Sequence, residues 1–214
     1  MEVTDLTKLN QMDSRDKLER ENGGYSFYAY LSRMRYISRW GLMRNSYTEN
    51  IQEHSHMVAV LAHALALISR KVFGNKDISP DACAAAALFH DAGEIITGDL
   101  PTPIKYYSAE IRDAYRQVES VAADKLLHML PEELQEDYGP MLREEDPEVR
   151  RFVKAADKLS AHIKCLEELK ASNHEFLLAA RQTRQALDDM DMPELRYFIE
   201  NFLDSFTLTL DELK

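Results

Sequence analysis

The chain has 214 residues, enough for one domain with a substantial core and at most a small extension. Apolar residues make up 45% of it, which excludes a disordered chain; Gly and Pro number only 7 each, so few turns are signalled and long helices are the expected filling. Lys and Arg total 26 against 37 Asp and Glu, a formal net charge of −11 that repels phosphate backbones and argues against DNA or RNA as the main partner.

Residues 1–24 are polar and end in Gly23-Gly24. They read as an extension ahead of a domain spanning 25–214, and they lack the apolar run of a signal peptide. The rest reads as helix after helix, with no stretch alternating cleanly enough for a strand. A first helix is expected over 27–38. The next runs from about Glu49 to Phe73, stopped by Gly74-Asn75, with an apolar series Ile51, Val58, Leu61, Leu65, Ile68 and Val72 that also takes in His54. Its most apolar part, Met57 to Ile68, is too short to span a bilayer, so no membrane partner is expected.

Ser79-Pro80-Asp81 opens an Ala-rich third helix ending around Ala92-Gly93. A loop stiffened by two prolines follows at 97–103. A fourth helix is expected over 108–130 and a short one after Pro131. Pro147 starts a long helix to about Lys170, and two more occupy 173–189 and 193–206. The expected architecture is an all-α, bundle-like globule. Cys83 and Cys165 lie far apart in apolar helical stretches and read as reduced, buried thiols of a cytoplasmic protein.

Three polar features stand where apolar ones belong. His54 lies on the apolar seam of its helix, His90-Asp91 closes the Ala-rich helix, and Asp157 follows Val153 by four residues and precedes Ser160 by three, on an inward face. A lone inward histidine is usually a core residue with a backbone partner. An inward carboxylate is costlier, several kcal/mol unless a cation or good donors meet it, although a salt bridge to another helix would also suffice. Taken together, imidazoles and carboxylates on three helices are what a divalent metal needs. Neighbours on a regular helix point about 100° apart, so His90 and Asp91 can share one ion only near a helix end. Glu94 follows His90 by four residues and is either a base beside the metal or an ordinary surface glutamate. His54 and His56 point about 200° apart, so one ion would not take both. His63, His128, His162 and His174 have no motif context.

The pattern His54, His90-Asp91, Asp157 resembles the HD-domain metal-dependent phosphohydrolase superfamily. Flanking words narrow the likeness: Ser38-Arg39-Trp40, Leu42-Met43-Arg44-Asn45, Thr48-Glu49-Asn50, Phe89 through Glu94, Thr97 through Tyr106, Ala155 through Leu159 and Lys164 through Leu169 are similar to the bacterial HD-domain 5'-deoxynucleotidase family. The resemblance covers about residue 27 to the C-terminus. It implies that His54, His90, Asp91 and Asp157 hold one divalent ion (Co, Mn, Zn or Fe). It further implies that Arg39 orients the 5'-phosphate, that Trp40 contacts sugar or base, that Asp99, Leu100, Pro101 and Thr102 line the nucleoside pocket with Asp91 and Asp157 beside them, and that Glu94 assists the attacking water. The substrates would be deoxynucleoside 5'-monophosphates with little base preference, and the protein would be a homodimer. Ser46-Tyr47 depart from the family, where a Val-Arg-like pair is expected.

The residues suit that chemistry. A metal neutralises phosphate charge and lowers the pKa of a bound water. Arg39 offers a planar fork for two phosphate oxygens, though an arginine at a helix end also suits the helix dipole. Trp40, the one tryptophan, is either a core aromatic or a flat wall for any base. Other readings stay open: an HD-superfamily hydrolase of cyclic dinucleotides, ppGpp or nucleoside triphosphates, a non-catalytic metal-binding regulatory module, or a plain helical interaction protein. The last leaves His54 and Asp157 without a reason.

Overall fold

A computed structural model describes residues 24–105 and 107–213. Residues 1–23 lie outside them, so the expected N-terminal extension is not tested; Gly24 has a left-handed φ of 70°. Among the described residues the chain is helical, with one isolated antiparallel bridge, Ser38 to Asn50. Ten α-helices follow in order: α1 Phe27–Leu31, α2 Ile51–Lys71, α3 Pro80–Phe89, α4 Glu94–Thr97, α5 Thr102–Lys105, α6 Ala109–Leu127, α7 Glu132–Leu142, α8 Pro147–Lys170, α9 Leu177–Asp188 and α10 Pro193–Phe202.

The two helices that matter most for the site begin where side chains satisfy free backbone N–H groups. The Asn50 side chain accepts from the Glu53 N–H, and the Glu53 carboxylate accepts from the Asn50 N–H, a reciprocal cap that fixes the start of α2. Asp146 accepts from the N–H groups of Glu148 and Val149, with Pro147 in the first turn of α8.

The main core lies between α2, α3, α8 and α10. Ala59, Ala62 and Ala66 of α2 and Ala86 and Ala87 of α3 are buried together with Phe152, Val153, Ala156 and Leu159 of α8. Small side chains on α2 and α3 let the two backbones approach closely, which carries the N-terminal half of α2 toward the end of α3. A second cluster joins Phe27, Ala92, Leu126 and Leu130, and a third packs Trp40 and Met43 against Cys165, Phe176 and Ala180.

Several boundaries differ from expectation. The first helix is α-helical only to Leu31 and tightens into a 3₁₀ segment over Ser32–Tyr36. The Ala-rich helix ends at Phe89, before His90. Gly93, expected as a stop, has a helical φ of −58° and leads into α4. The anticipated loop at 97–103 is bracketed by two four-residue helices. Each surplus turn follows from local i to i−3 or i−4 bonding, such as Gly98 N–H to Glu94 C=O at 2.7 Å, which hydropathy does not register.

Candidate metal and phosphate site

The site forms where α2, the end of α3 and α8 meet. His54, fully buried on α2, presents Nε2 to Asp157 Oδ1 of α8 at 3.0 Å. Its other ring nitrogen, Nδ1, lies 3.3 Å from Ser160 Oγ, one helical turn further along α8. His90, just past α3, donates from Nδ1 to the Ala87 carbonyl at 2.7 Å. A carbonyl can only accept, so in the neutral ring Nε2 keeps its lone pair. That nitrogen is buried without a hydrogen-bond partner: Asp91 Oδ2 stands 3.2 Å away but outside hydrogen-bonding geometry. The ligand atoms of His54, His90 and Asp157 all lie within 4.8 Å of one another, a cluster able to hold a metal ion. An orphaned imidazole nitrogen beside a second imidazole and carboxylates fits a borderline divalent cation of the Mn, Fe, Co or Zn type.

Asp91 adjoins the same group. Its Oδ2 is 3.6 Å from His54 Nε2 and 3.3 Å from Arg39 Nη1. The turn after α3 lets His90 and Asp91 face one point, which a continuing helix would prevent. Of the Asp157 side chain, 41% is accessible.

Burial works against a charged His90, yet the carboxylates of Asp91 and Asp157 prevail and raise its pKa to about 9. Burial would raise the carboxyl groups of Asp91 and Asp157, but neighbouring imidazoles, with Arg39 beside Asp91, pull both below the usual range. Burial also disfavours the Arg39 guanidinium, and Asp91, Asp157, Glu49 and Asp99 together hold its pKa above the ordinary value. These carboxylates favour positive charge among them.

Arg39 lies in the turn before α2, with Nε donating to Glu49 Oε2 at 3.2 Å and Nη1 facing Asp91; neither contact uses Nη2. Glu94 opens α4, and one of its carboxylate oxygens, Oε2, is buried without a partner. Burial, then the charges of Asp91 and Asp99, push its pKa up to about 9; a cation beside Asp91 works the other way. Asp99, in the loop after α4, shares this environment: burial raises its pKa, Arg39 opposes, and Asp91 adds to the rise. Leu100 and Pro101 follow in the same loop, half-buried, and Thr102 opens α5.

Trp40 has a left-handed φ of 58°, uncommon for a bulky residue. Its ring packs on Phe176 at 5.4 Å and its indole N–H donates to Glu49 Oε2 at 3.3 Å. It therefore belongs partly to the core. Glu49 was not singled out from sequence: an acidic residue just ahead of a helix cap reads as a partner of the helix dipole. Its proximity to Arg39-Trp40 becomes visible only once Ser38 pairs with Asn50.

The fold matches a solved HD-domain phosphohydrolase from Listeria innocua with a TM-score of 0.72 at 21% identity, over 85% of this chain and 88% of that one. It also matches the HD phosphohydrolase DatZ of cyanophage S-2L, described as bound to dA and one catalytic Zn²⁺ ion, with a TM-score of 0.58 at 24% identity, over 83% and 96% of the two chains. Residues 26–206 match the family described as 5'-deoxynucleotidase YfbR-like. A 5'-deoxynucleotidase of Vibrio parahaemolyticus is 50% identical over 192 residues, 87% of this chain and 97% of that protein. The 5'-deoxynucleotidase YfbR of Escherichia coli is 47% identical over 189 residues, 87% and 94% of the two chains. The chain belongs to the YfbR-like 5'-deoxynucleotidase family.

Proposed function

We propose that the protein is a metal-dependent 5'-deoxynucleotidase, adding water to deoxynucleoside 5'-monophosphates to give the deoxynucleoside and inorganic phosphate. The observation that carries this reading is the cluster of His54, His90 and Asp157 ligand atoms within 4.8 Å of one another, with Asp91 and Arg39 beside it, in a chain of this family. These four residues would hold one divalent ion, Co, Mn, Zn or Fe. When bound, the ion neutralises phosphate charge and makes water a better nucleophile.

The remaining work falls to the chain's own side chains. Arg39, anchored through Nε and Nη1, offers its remaining amino group to a phosphate oxygen. Glu94 moves a proton at its buried oxygen, either from the attacking water or to the leaving 5'-oxygen as the P–O bond breaks. Asp99 takes the 3'-hydroxyl and leaves no room for a 2'-hydroxyl, with Trp40, Leu100, Pro101 and Thr102 completing the nucleoside pocket and Asp91 and Asp157 bordering the phosphate. The cyanophage neighbour is described as bound to dA, which is in keeping with a nucleoside ligand here. The proposal includes a cytoplasmic homodimer; among the described residues no helix is long and apolar enough to cross a membrane. Light scattering of the purified protein tests the dimer.

Phosphate release decides the reading. The protein is stripped with chelator, Co, Mn, Mg or Zn is restored singly, and dAMP, dGMP, dCMP, TMP, AMP and ppGpp are offered, with Asp157→Ala as control. Metal-dependent release from the deoxynucleotides, weak on AMP and absent in the control, is expected. Equal release from AMP removes the deoxyribose selectivity, and release from ppGpp alone replaces the substrate class.

A further inference from the structure

We infer that Glu49 is a positioning residue that locks Arg39 and Trp40 into one unit at the edge of the metal site. One oxygen atom, Oε2, accepts both the Arg39 Nε–H at 3.2 Å and the Trp40 indole N–H at 3.3 Å. Arg39 and Glu49 side chains are each only 13% accessible, so this pair is shielded from solvent and held more firmly than a surface ion pair. The backbone fixes the carboxylate as well. The Arg39 N–H donates to the Glu49 carbonyl at 2.9 Å, the Ile51 N–H donates to the Ile37 carbonyl at 3.0 Å, and the Asn50–Glu53 cap ties the following residue to α2. Glu49 thus belongs to the rigid start of the helix carrying His54, and it transmits that rigidity to Arg39 and Trp40. It also holds Trp40 with its left-handed φ, a conformation that surrounding contacts must maintain.

The consequence is a division of labour. Arg39 meets substrate and Glu49 aims Arg39, while the same oxygen sets the angle of the indole beside it. The inference rests on the phosphate role given to Arg39 above. Shortening Glu49 by one methylene prevents a single oxygen from reaching both donors, whereas an amide oxygen in place of Oε2 can accept both bonds without the charge. Misplacing a substrate-binding group by about 1 Å costs on the order of a hundredfold in rate.

The test uses metal-loaded Glu49→Asp, Glu49→Gln, Arg39→Ala and the Arg39→Ala/Glu49→Asp double variant, with folding checked by thermal melting. Trp40 is the one tryptophan, so its emission reports its surroundings directly. In Glu49→Asp, kcat/KM for dAMP is expected to fall about a hundredfold with a raised KM, and tryptophan emission to shift. Glu49→Gln is expected to keep the wild-type emission and most of the activity, which also decides the matter if the aspartate variant does not fold. The double variant should be no more than about threefold worse than Arg39→Ala. Multiplicative losses in the double variant, or a fall in kcat alone with KM and emission unchanged, overturn the inference. If Arg39→Ala retains full kcat/KM, the phosphate role of Arg39 fails and takes the Arg39 half of this inference with it; the emission of Glu49→Asp then decides the Trp40 half.

Discussion

Replacing Glu168 by alanine should unfold a large share of this protein's stability margin and loosen the site as it does so. Glu168 sits on α8 with 1% of its side chain accessible, and Lys164, one turn before it, has 3%. The Glu168 carboxylate accepts from Lys164 Nζ at 2.5 Å, from the Ser46 N–H at 2.9 Å and from Asn173 Nδ2 at 2.8 Å. Lys164 also donates to the Tyr47 carbonyl. Burial would raise the Glu168 pKa, but the bonds from Lys164, Asn173 and Ser46 outweigh it and lower the value from 4.5 to about 2. At about 1.4 kcal/mol per pH unit, that drop corresponds to about 3 kcal/mol of stability at neutral pH. Breaking a buried pair by removing one partner costs about 3–5 kcal/mol on independent grounds. The expected loss is therefore about 3–4 kcal/mol, or a Tm drop of roughly 6–16 °C at about 2–4 °C per kcal/mol for a chain of this size. Urea unfolding followed by circular dichroism measures it. The sign with pH is fixed: a depressed carboxyl pKa contributes fully above pH 4.5, and its contribution drains away as pH falls toward 2. The gap between wild type and Glu168→Ala should thus be widest at pH 7 and narrow through that window. A loss below about 1 kcal/mol at pH 7, or a gap that does not narrow on acidification, refutes the reasoning.

Other outcomes follow from the same structure. Adding Co, Mn or Zn to chelator-stripped protein should raise Tm, by about 2.7 kcal/mol of stabilisation at a hundredfold excess over Kd, and Asp157→Ala should abolish the shift in a thermal melt. If Glu94 moves the proton as proposed and stands outside the ligand set, Glu94→Gln should lower kcat by about 10²–10⁴-fold while isothermal titration shows metal affinity little changed. Burial first of all raises the thiols of Cys83 to about 12 and Cys165 to about 11, so neither should react with a disulfide reagent at neutral pH until denaturant is added, when both should. Deleting residues 1–24 should leave kcat/KM and Tm unchanged, since the family match begins at residue 26.

Much of this was legible in the sequence, for identifiable reasons. Pro147 and Lys170 delimit α8 as expected, because a proline at the first turn and a long apolar stripe leave one reading. His54 and Asp157 stood out because they occupy seam positions where apolar residues belong. What sequence concealed depends on long-range geometry. Lys164 and Glu168, four residues apart, look like a solvated pair on an exposed helix face; they are buried because the 44–47 segment folds over them and supplies the missing donors. Glu49 gains its role from the bridge between Ser38 and Asn50, a contact with no hydropathy signal. Asp157 was read as facing inward, and its carboxylate does meet the buried His54.

The long helix α8 has a further consequence for how the molecule comes into being. It carries Phe152, Val153, Ala156 and Leu159 into the main core on the same stretch that brings Asp157 to His54, a partner 103 residues earlier in the chain. A chain in which α8 has not docked lacks Asp157 beside His54, so the cluster is assembled only with the core. Activity recovered after dilution from denaturant should therefore never run ahead of the burial of α8.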